Sequence, residues 1–177
     1  MGFESRTLQK GTPVLYLDID GTVRKGKDEI GIFVNKKEDV FVFGEVPNIL
    51  KKYKENGWRI VGISNQGGIA LGILNYKDCL DAMIETQKQC FGLFDKIAFC
   101  VHHPDSKEKE MAICWCRKPR IGLIIESALS LGRDYEEFYP PHLALFVGDR
   151  PEDEECAKNA NIKFMKASDW RKTGYIY

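Results

Sequence analysis

Asp18 and Asp20, two carboxylates set two residues apart, open the motif Asp18-Ile19-Asp20-Gly21-Thr22 directly after the apolar run Val14–Leu17. That spacing along a strand turns both acidic side chains to one side and Ile19 to the other. If the run is a strand of an open α/β sheet, both carboxylates point into the crevice where such sheets bind ligands. Gly21 permits a sharp turn, and Thr22 offers a hydroxyl and a backbone N–H to an anion. Two further stretches carry chemistry. Gly148-Asp149-Arg150-Pro151-Glu152-Asp153 follows another apolar run, and Cys100-Val101-His102-His103 is followed by Cys114-Trp115-Cys116-Arg117-Lys118-Pro119. Three thiols and one histidine suffice for a tetrahedral zinc site, the plain alternative being reduced thiols and a surface histidine.

The first motif resembles that of the haloacid dehalogenase (HAD) superfamily of phosphotransferases. Three more places fit the resemblance: Ser64-Asn65 after a second apolar run, Lys118 just before a helical pattern, and the acidic motif from Asp149 to Asp153. It implies hydrolysis of a phosphate monoester, with Asp18 as the nucleophile that forms an aspartyl-phosphate. Like unit charges roughly 4 Å apart repel by about 4 kcal/mol at an effective dielectric of about 20. A carboxylate approaching a phosphate therefore needs a cation. Mg²⁺ suits an all-oxygen set made of the Asp18 carboxylate, the Asp20 backbone carbonyl and Asp149. Lys118 and Ser64 would hold phosphoryl oxygens, with Thr22 and Asn65 beside them. Asp20 would protonate the leaving alcohol and then activate water. Asp153 would orient the cation site from behind, or serve as a helix-start carboxylate.

The pattern Cys-x-His-x-Pro followed by Cys-x-Cys-Arg-Lys-Pro resembles one branch of the superfamily, the heptose bisphosphate and histidinol-phosphate phosphatases. The resemblance implies that Cys100, His102, Cys114 and Cys116 hold a zinc ion, with His103 as the alternative ligand, and that Arg117 contacts a substrate phosphate through its bidentate fork. Four protein ligands leave no open position, so this zinc would be structural. Residues Asn65 to Gly72 depart from the branch, since heptose enzymes tend to carry Ser at Gly67 and Arg at Leu71. The phosphatase domains of polynucleotide kinase/phosphatases share a similar Asn-Gln-x-Gly-Ile stretch, which makes a 3′-phosphorylated nucleic-acid end the alternative substrate. Such a substrate wants a basic groove with stacking aromatics, for which Lys25, Lys27, Lys36 and Lys37 are candidates. A catalytically silent binding domain of the same fold is a third possibility, and the joint presence of Asp18, Asp20, Lys118 and Asp149 argues against it.

The elements that must place these residues are legible as alternating patterns. Continuous apolar runs at Val14–Leu17, Ile60–Ile63, Ile97–Val101 and Leu143–Val147, with a weaker one at Ile162–Met165, suit parallel strands covered on both faces. Helical spacing occupies Pro47–Asn56 (Ile49, Leu50, Tyr53), Asn75–Cys90 (Cys79, Leu80, Met83, Ile84) and Pro119–Leu131 (Leu123, Ile124, Ala128, Leu131). A fourth helix, Pro151–Asn159, begins with a proline and acidic residues that favour a helix start. The alternation predicts a doubly wound, mainly parallel, Rossmann-like α/β sheet with helices on both faces. Within 24–46, two β-branched and aromatic arms in Glu29–Val46 flank the polar turn Asn35–Asp39, which predicts a small β-hairpin flap and a minimal cap.

Bulk properties set the limits. A chain of 177 residues suits a single HAD-like domain, 1–177, with residues 100–116 as a zinc loop. Lys+Arg and Asp+Glu both total 26, so no global field recruits nucleic acid or an anionic membrane. No apolar run approaches the roughly 20 residues of a membrane span, and the first residues lack an apolar signal core. A cytoplasmic monomer with reduced cysteines, acting on a small phosphate ester, is the resulting expectation. Cys79, Cys90 and Cys156 read as core thiols. Ala167–Tyr177 has no counterpart in the branch, and Trp170 and Tyr175 are expected to pack, the alternative being that they flank a substrate.

Overall fold

The computed structural model describes residues 11–27, 33–132 and 143–175. In chain order its elements are β1 (Val14–Leu17), β2 (Arg24–Gly26), β3 (Val40–Val42), α1 (Val46–Glu55), β4 (Arg59–Asn65), α2 (Tyr76–Gln89), β5 (Lys96–Cys100), α3 (Lys109–Ala112), α4 (Gly122–Ser130), β6 (Ala144–Gly148), α5 (Pro151–Asn159), β7 (Lys163–Lys166) and α6 (Ala167–Thr173). The five apolar runs form one parallel sheet in the order β5-β4-β1-β6-β7. Leu17 lies opposite both Gly62 and Val147, so chain order reverses at β1 and the ends of β1, β4 and β6 meet at the switch point.

Alternation along β1 divides the core. Leu15, Leu17 and Ile19 pack with Ile49, Leu50 and Tyr53 of α1, Cys79, Ala82 and Met83 of α2, and Trp170 of α6. Val14 and Tyr16 pack on the other face with Leu123, Ile124 and Ala128 of α4 and Cys156 and Ala157 of α5. This is the doubly wound arrangement that the strand and helix patterns predict. Cys79, Cys90 and Cys156 are buried thiols, each pushed up to about 12 by burial.

Two readings are corrected. The hairpin pairs Arg24–Gly26, not the arm beginning at Glu29, with Val40–Val42, in antiparallel register. Arg24 is fully buried against Ala82 and Thr86 of α2, which pins the first arm close behind the acidic turn. Residues 28–32 of the expected arm lie outside the described residues. On α2 the buried stripe is Cys79, Ala82, Met83 and Thr86, while Leu80 and Ile84 are exposed, because the helix lies on the sheet one step around from the predicted face. The carboxyl-terminal segment forms α6, in which Ala167 and Trp170 are buried as expected of Trp170, and the indole N–H of Trp170 donates to the Tyr53 hydroxyl of α1. Tyr175 is exposed, with its ring beneath Lys163. Among the described residues no helix is long and apolar enough to cross a membrane.

Asp95, at the entry to β5, ties that strand to its neighbours. It accepts hydrogen bonds from Ile60 N–H (2.8 Å), Arg59 Nη1 (2.7 Å) and Lys54 Nζ (2.8 and 3.0 Å). Burial raises its carboxyl, but these donors outweigh burial and hold it below its ordinary value. A depressed folded value adds stability above the unfolded carboxyl pKa of about 3.9 and loses it as pH falls through the folded value. We therefore expect Asp95→Asn to lower stability by about 1–3 kcal/mol at neutral pH. In urea titrations the gap from wild type should shrink below about pH 4, and a gap constant from acid to neutral pH would contradict this account.

Candidate active site

The acidic turn begins where β1 runs out. Asp18 N–H donates to Val147 O of β6 (2.9 Å), and Val23 and Arg24 N–H both return to Ile19 O (2.9 and 3.0 Å). These bonds fold residues 18–24 into a loop that keeps Ile19 and Val23 in the core and brings the Asp18 and Thr22 side chains together. Asp18 is buried and receives Lys118 Nζ on Oδ1 at 2.5 Å and the Thr22 hydroxyl on Oδ2 at 3.3 Å. Lys118, only 4% exposed, also donates to Ile63 O of β4 (3.0 Å) and sits 2.7 Å from Asp153 Oδ1. One ammonium thus joins the ends of β1 and β4 to the start of α5.

Asp153 is fully buried and has two tasks. Its Oδ2 accepts the N–H groups of Asp149 and Arg150 (3.2 and 3.1 Å), closing the start of α5, while Oδ1 faces Lys118. The Lys118–Asp153 contact is an ion pair whose angles miss a hydrogen bond, which leaves Asp153 Oδ1 without an aligned donor. Gly148 makes this packing possible: a Cβ there would lie 2.6 Å from Asp153 Cγ. Ligand oxygens of Asp18, Asp149 and Asp153 lie within 4.8 Å of one another. Burial, opposed by Lys118 and reinforced by Asp153 and Asp20, pushes Asp18 up to about 8. Burial and then Asp153 also raise Asp149. Burial works against the Lys118 charge, yet Asp18 and Asp153 hold the ammonium above its ordinary value. Three carboxyl groups face one lysine here, and hard oxygen donors in this number could hold a divalent cation.

Asp20 occupies a separate polar network. Its Oδ1 accepts from Arg24 Nε at 2.8 Å, and its Oδ2 accepts from Gln66 Nε2 at 2.6 Å and lies 3.5 Å from the Ser64 hydroxyl. Arg24 is anchored in turn by Ala82 O and the Thr86 hydroxyl, both at 2.8 Å. The sequence reading did not single out Arg24, Gln66 or Thr86. A signal existed for Arg24, an arginine four residues after Asp20 in a segment otherwise destined for burial. Thr86 follows from the fold alone. Asn65 is engaged with protein: its side-chain carbonyl accepts Lys118 N–H at 3.0 Å and its amide donates to Lys118 O at 3.1 Å.

Cys100, His102, Cys114 and Cys116 converge two residues upstream of Lys118. Cys116 Sγ lies 3.1 Å from Cys100 Sγ and 3.4 Å from His102 Nδ1, and Cys100 Sγ lies 3.7 Å from Cys114 Sγ and 3.5 Å from His102 Nδ1. A tetrahedron with arms of about 2.3 Å has edges of about 3.8 Å, so four donors at these separations could hold zinc. Burial and then Cys116 raise the Cys100 thiol. His103 is turned away: its Nδ1 accepts Asp105 N–H, and its ring packs at Gly67, where a Cβ would lie 2.7 Å from it and 2.9 Å from Arg117 Nη1. Arg117 itself donates to His102 O at 3.1 Å.

A cleft of about 680 Å³ opens beside this cluster, floored by Asn65 and Gln66. The hairpin side supplies Lys27, Val34 and Lys36, the opposite side His103, Arg117 and Arg150, and Leu71, Ile73 and Leu74 make an apolar wall. Lys25 is stacked on Phe41 and Phe43, and Lys37 lies beside Glu38; neither lines the cleft.

The sequence model of the family described as Polynucleotide kinase 3 phosphatase matches residues 13–171. The chain belongs to this family. It is a HAD-like phosphatase, a hydrolase of phosphate monoesters. It is 30% identical over 162 residues to D-glycero-beta-D-manno-heptose-1,7-bisphosphate 7-phosphatase of Yersinia pestis, covering 88% of this chain and 79% of that protein. A D-glycero-D-manno-heptose-1,7-bisphosphate 7-phosphatase of Chlorobaculum tepidum is 29% identical over 85% of this chain and 75% of that protein. Among solved structures, the D,D-heptose 1,7-bisphosphate phosphatase of B. bronchiseptica, complexed with magnesium and phosphate, shares the fold with a TM-score of 0.67. That likeness has 22% sequence identity and covers 86% of this chain and 78% of the other.

The Asn65 geometry separates a phosphate ligand from a support for Lys118. For this phosphatase, Asn65→Ala should remove two hydrogen bonds to the Lys118 peptide and cost about 2 kcal/mol of stability. Its kcat should fall with KM nearly unchanged. A raised KM at normal kcat and stability would instead make Asn65 a substrate contact.

Proposed function

We propose that this phosphatase acts on a small phosphorylated sugar, with a sugar bisphosphate as the first choice, through an aspartyl-phosphate on Asp18. The observation that carries the reading is the buried meeting of Asp18, Lys118 and Asp153 beside Asp149 at the switch point, in a chain related to heptose bisphosphate phosphatases. A single domain with a small flap leaves the cleft open enough for such a substrate.

Asp18 attacks phosphorus with one carboxylate oxygen, and the bond from phosphorus to the ester oxygen breaks. Asp20 gives its proton to the departing alkoxide. It then takes a proton from water as that water attacks phosphorus, the bond to the Asp18 oxygen breaks, and inorganic phosphate leaves. Lys118 and the Ser64 hydroxyl steady the phosphoryl oxygens, Thr22 presents its N–H and hydroxyl at the turn, and Arg117 receives the distal part of the substrate. Asp18, Asp149 and the Asp20 carbonyl would hold Mg²⁺, with Asp153 behind them; when bound, the ion screens the repulsion between carboxylate and phosphate. Cys100, His102, Cys114 and Cys116 would hold a structural zinc that fixes the loop leading to Arg117 and Lys118.

One observation favours a second substrate class. Phe33 is 63% exposed at the mouth of the cleft, 4.8 Å beneath the Arg150 guanidinium and near Lys27 and Lys36. An exposed ring among cations suits a base of a 3′-phosphorylated nucleic-acid end. The deciding measurement is kcat/KM across sugar bisphosphates, sugar monophosphates, histidinol phosphate and 3′-phosphorylated oligonucleotides. Sugar phosphates should lead, and an oligonucleotide preferred by orders of magnitude would overturn that choice. Asp18→Asn should abolish turnover on every substrate, and retained activity would remove the proposed nucleophile. Elemental analysis of the purified protein should find about one equivalent of zinc. Stripping that metal should lower both kcat and the thermal midpoint. A protein with far less zinc and full activity would refute the structural site.

A further inference from the structure

The catalytic turn is held from outside by a residue at the far end of the chain. Arg171 of α6 extends Nη1 to the carbonyl oxygens of Gly21 and Thr22, both at 2.9 Å. Its Nε lies 3.5 Å from Glu45 Oε1, and its guanidinium covers the Phe43 ring at 4.1 Å. Phe43 and Glu45 belong to the root of the hairpin, where Phe43 N–H donates to Val23 O at 3.1 Å. One planar cation therefore joins three separate pieces: the turn carrying Asp18 and Asp20, the hairpin root, and the carboxyl-terminal helix.

The anchor is firm because its neighbours in sequence are buried. Trp170 is fully buried, Ala167 is nearly so, and the helix closes with Gly174 N–H on Trp170 O at 2.8 Å. Hydrogen bonds from a cation to a carbonyl are roughly twice as strong as neutral ones. Lysine could not reproduce this contact, because a point charge cannot face two carbonyls, pair with Glu45 and lie flat on a ring together. Gly21 and Thr22 directly follow Asp20, so the contact fixes the backbone from which Asp20 reaches the departing alcohol.

We infer that Arg171 is a positioning residue for the reaction, holding the turn behind Asp20 so that proton delivery to the leaving group stays aligned. This inference rests on the phosphomonoesterase reading above. It is separable from mere support of the fold, because a misaligned acid matters only where the leaving group needs a proton. A nitrophenyl phosphate departs as a stable phenolate, whereas a sugar phosphate departs as an alkoxide.

The experiment compares wild type, Arg171→Met and Arg171→Lys on both esters, with thermal midpoints recorded for each. Methionine keeps an apolar stem on Phe43 and removes the donors; lysine keeps a charge near Glu45. For the sugar phosphate we expect kcat of Arg171→Met to fall about 100-fold with KM within about threefold, the loss typical of an ångström-scale misplacement. On the nitrophenyl ester the loss should be at least about tenfold smaller, with Arg171→Lys between methionine and wild type. If the methionine variant does not fold, Arg171→Lys must still lose more on the sugar phosphate than on the aryl ester. Equal losses on both esters, a change in KM alone, or unaltered kinetics would overturn the assignment. A wild-type protein that hydrolyses neither ester would sink the underlying reading as well, whereas an active wild type with indifferent variants sinks only the role of Arg171.

Discussion

A single buried ammonium organises this site. Lys118 has almost no access to water, and its charge is sustained by Asp18 and Asp153. Removing either carboxylate would leave a buried charge poorly compensated, the situation in which ion pairs matter most to a fold. The lysine also donates to Ile63 O, so its three contacts lie at the ends of β1 and β4 and the start of α5. Pairing in the sheet already sets the ends of β1 and β4 side by side, and the lysine ties the start of α5 to them.

The position of Lys118 depends on a loop with little apolar content. Residues 101–115 are mostly partly or fully exposed, and α3 is a single turn with no buried residue. Order in such a loop has to come from elsewhere. The thiols of Cys100, Cys114 and Cys116 and the His102 ring gather at the loop's base, and Asn65 grips the Lys118 peptide on both its N–H and its carbonyl. The first leash acts from the loop side and the second from the sheet.

Most of the strand framework could be read from composition, because buried parallel strands are continuous apolar runs and their ends are fixed by the turn motifs that follow. The acidic residues of the site were legible for the same reason: Asp18 and Asp149 come directly after such runs. What escaped was whatever depends on packing between distant segments. Leu80 and Ile84 have the right spacing for a buried face, but only the seating of α2 on the sheet decides that Ala82 and Thr86 go inward. The hairpin arm was misplaced because β-branched composition marks strand tendency and not the partner. Its register is fixed instead by Arg24, whose burial no hydrophobic pattern would suggest. Residues 167–173 lack a long amphipathic repeat, and Trp170 alone supplies most of what buries that helix.

Arg24 also shows how the site trades stability for geometry. A fully buried arginine is expensive, and its Nη2 has no hydrogen-bond partner among the described residues. An apolar residue would fill that space between the hairpin and α2 with less desolvation. What the arginine supplies is direction: Nε fixes one oxygen of Asp20 while Gln66 fixes the other. Ser64 stands in contact with both Gln66 and Asp20, so the same network passes from the end of β1 to the end of β4. Asp18 and Asp20 are thus two residues apart in sequence yet held by different partners, Asp18 by Lys118 and Thr22, Asp20 by a guanidinium and an amide. Chemistry that asks one carboxylate to attack and the other to shuttle a proton needs that separation. Arg24 and Gln66 produce it by occupying one Asp20 oxygen each.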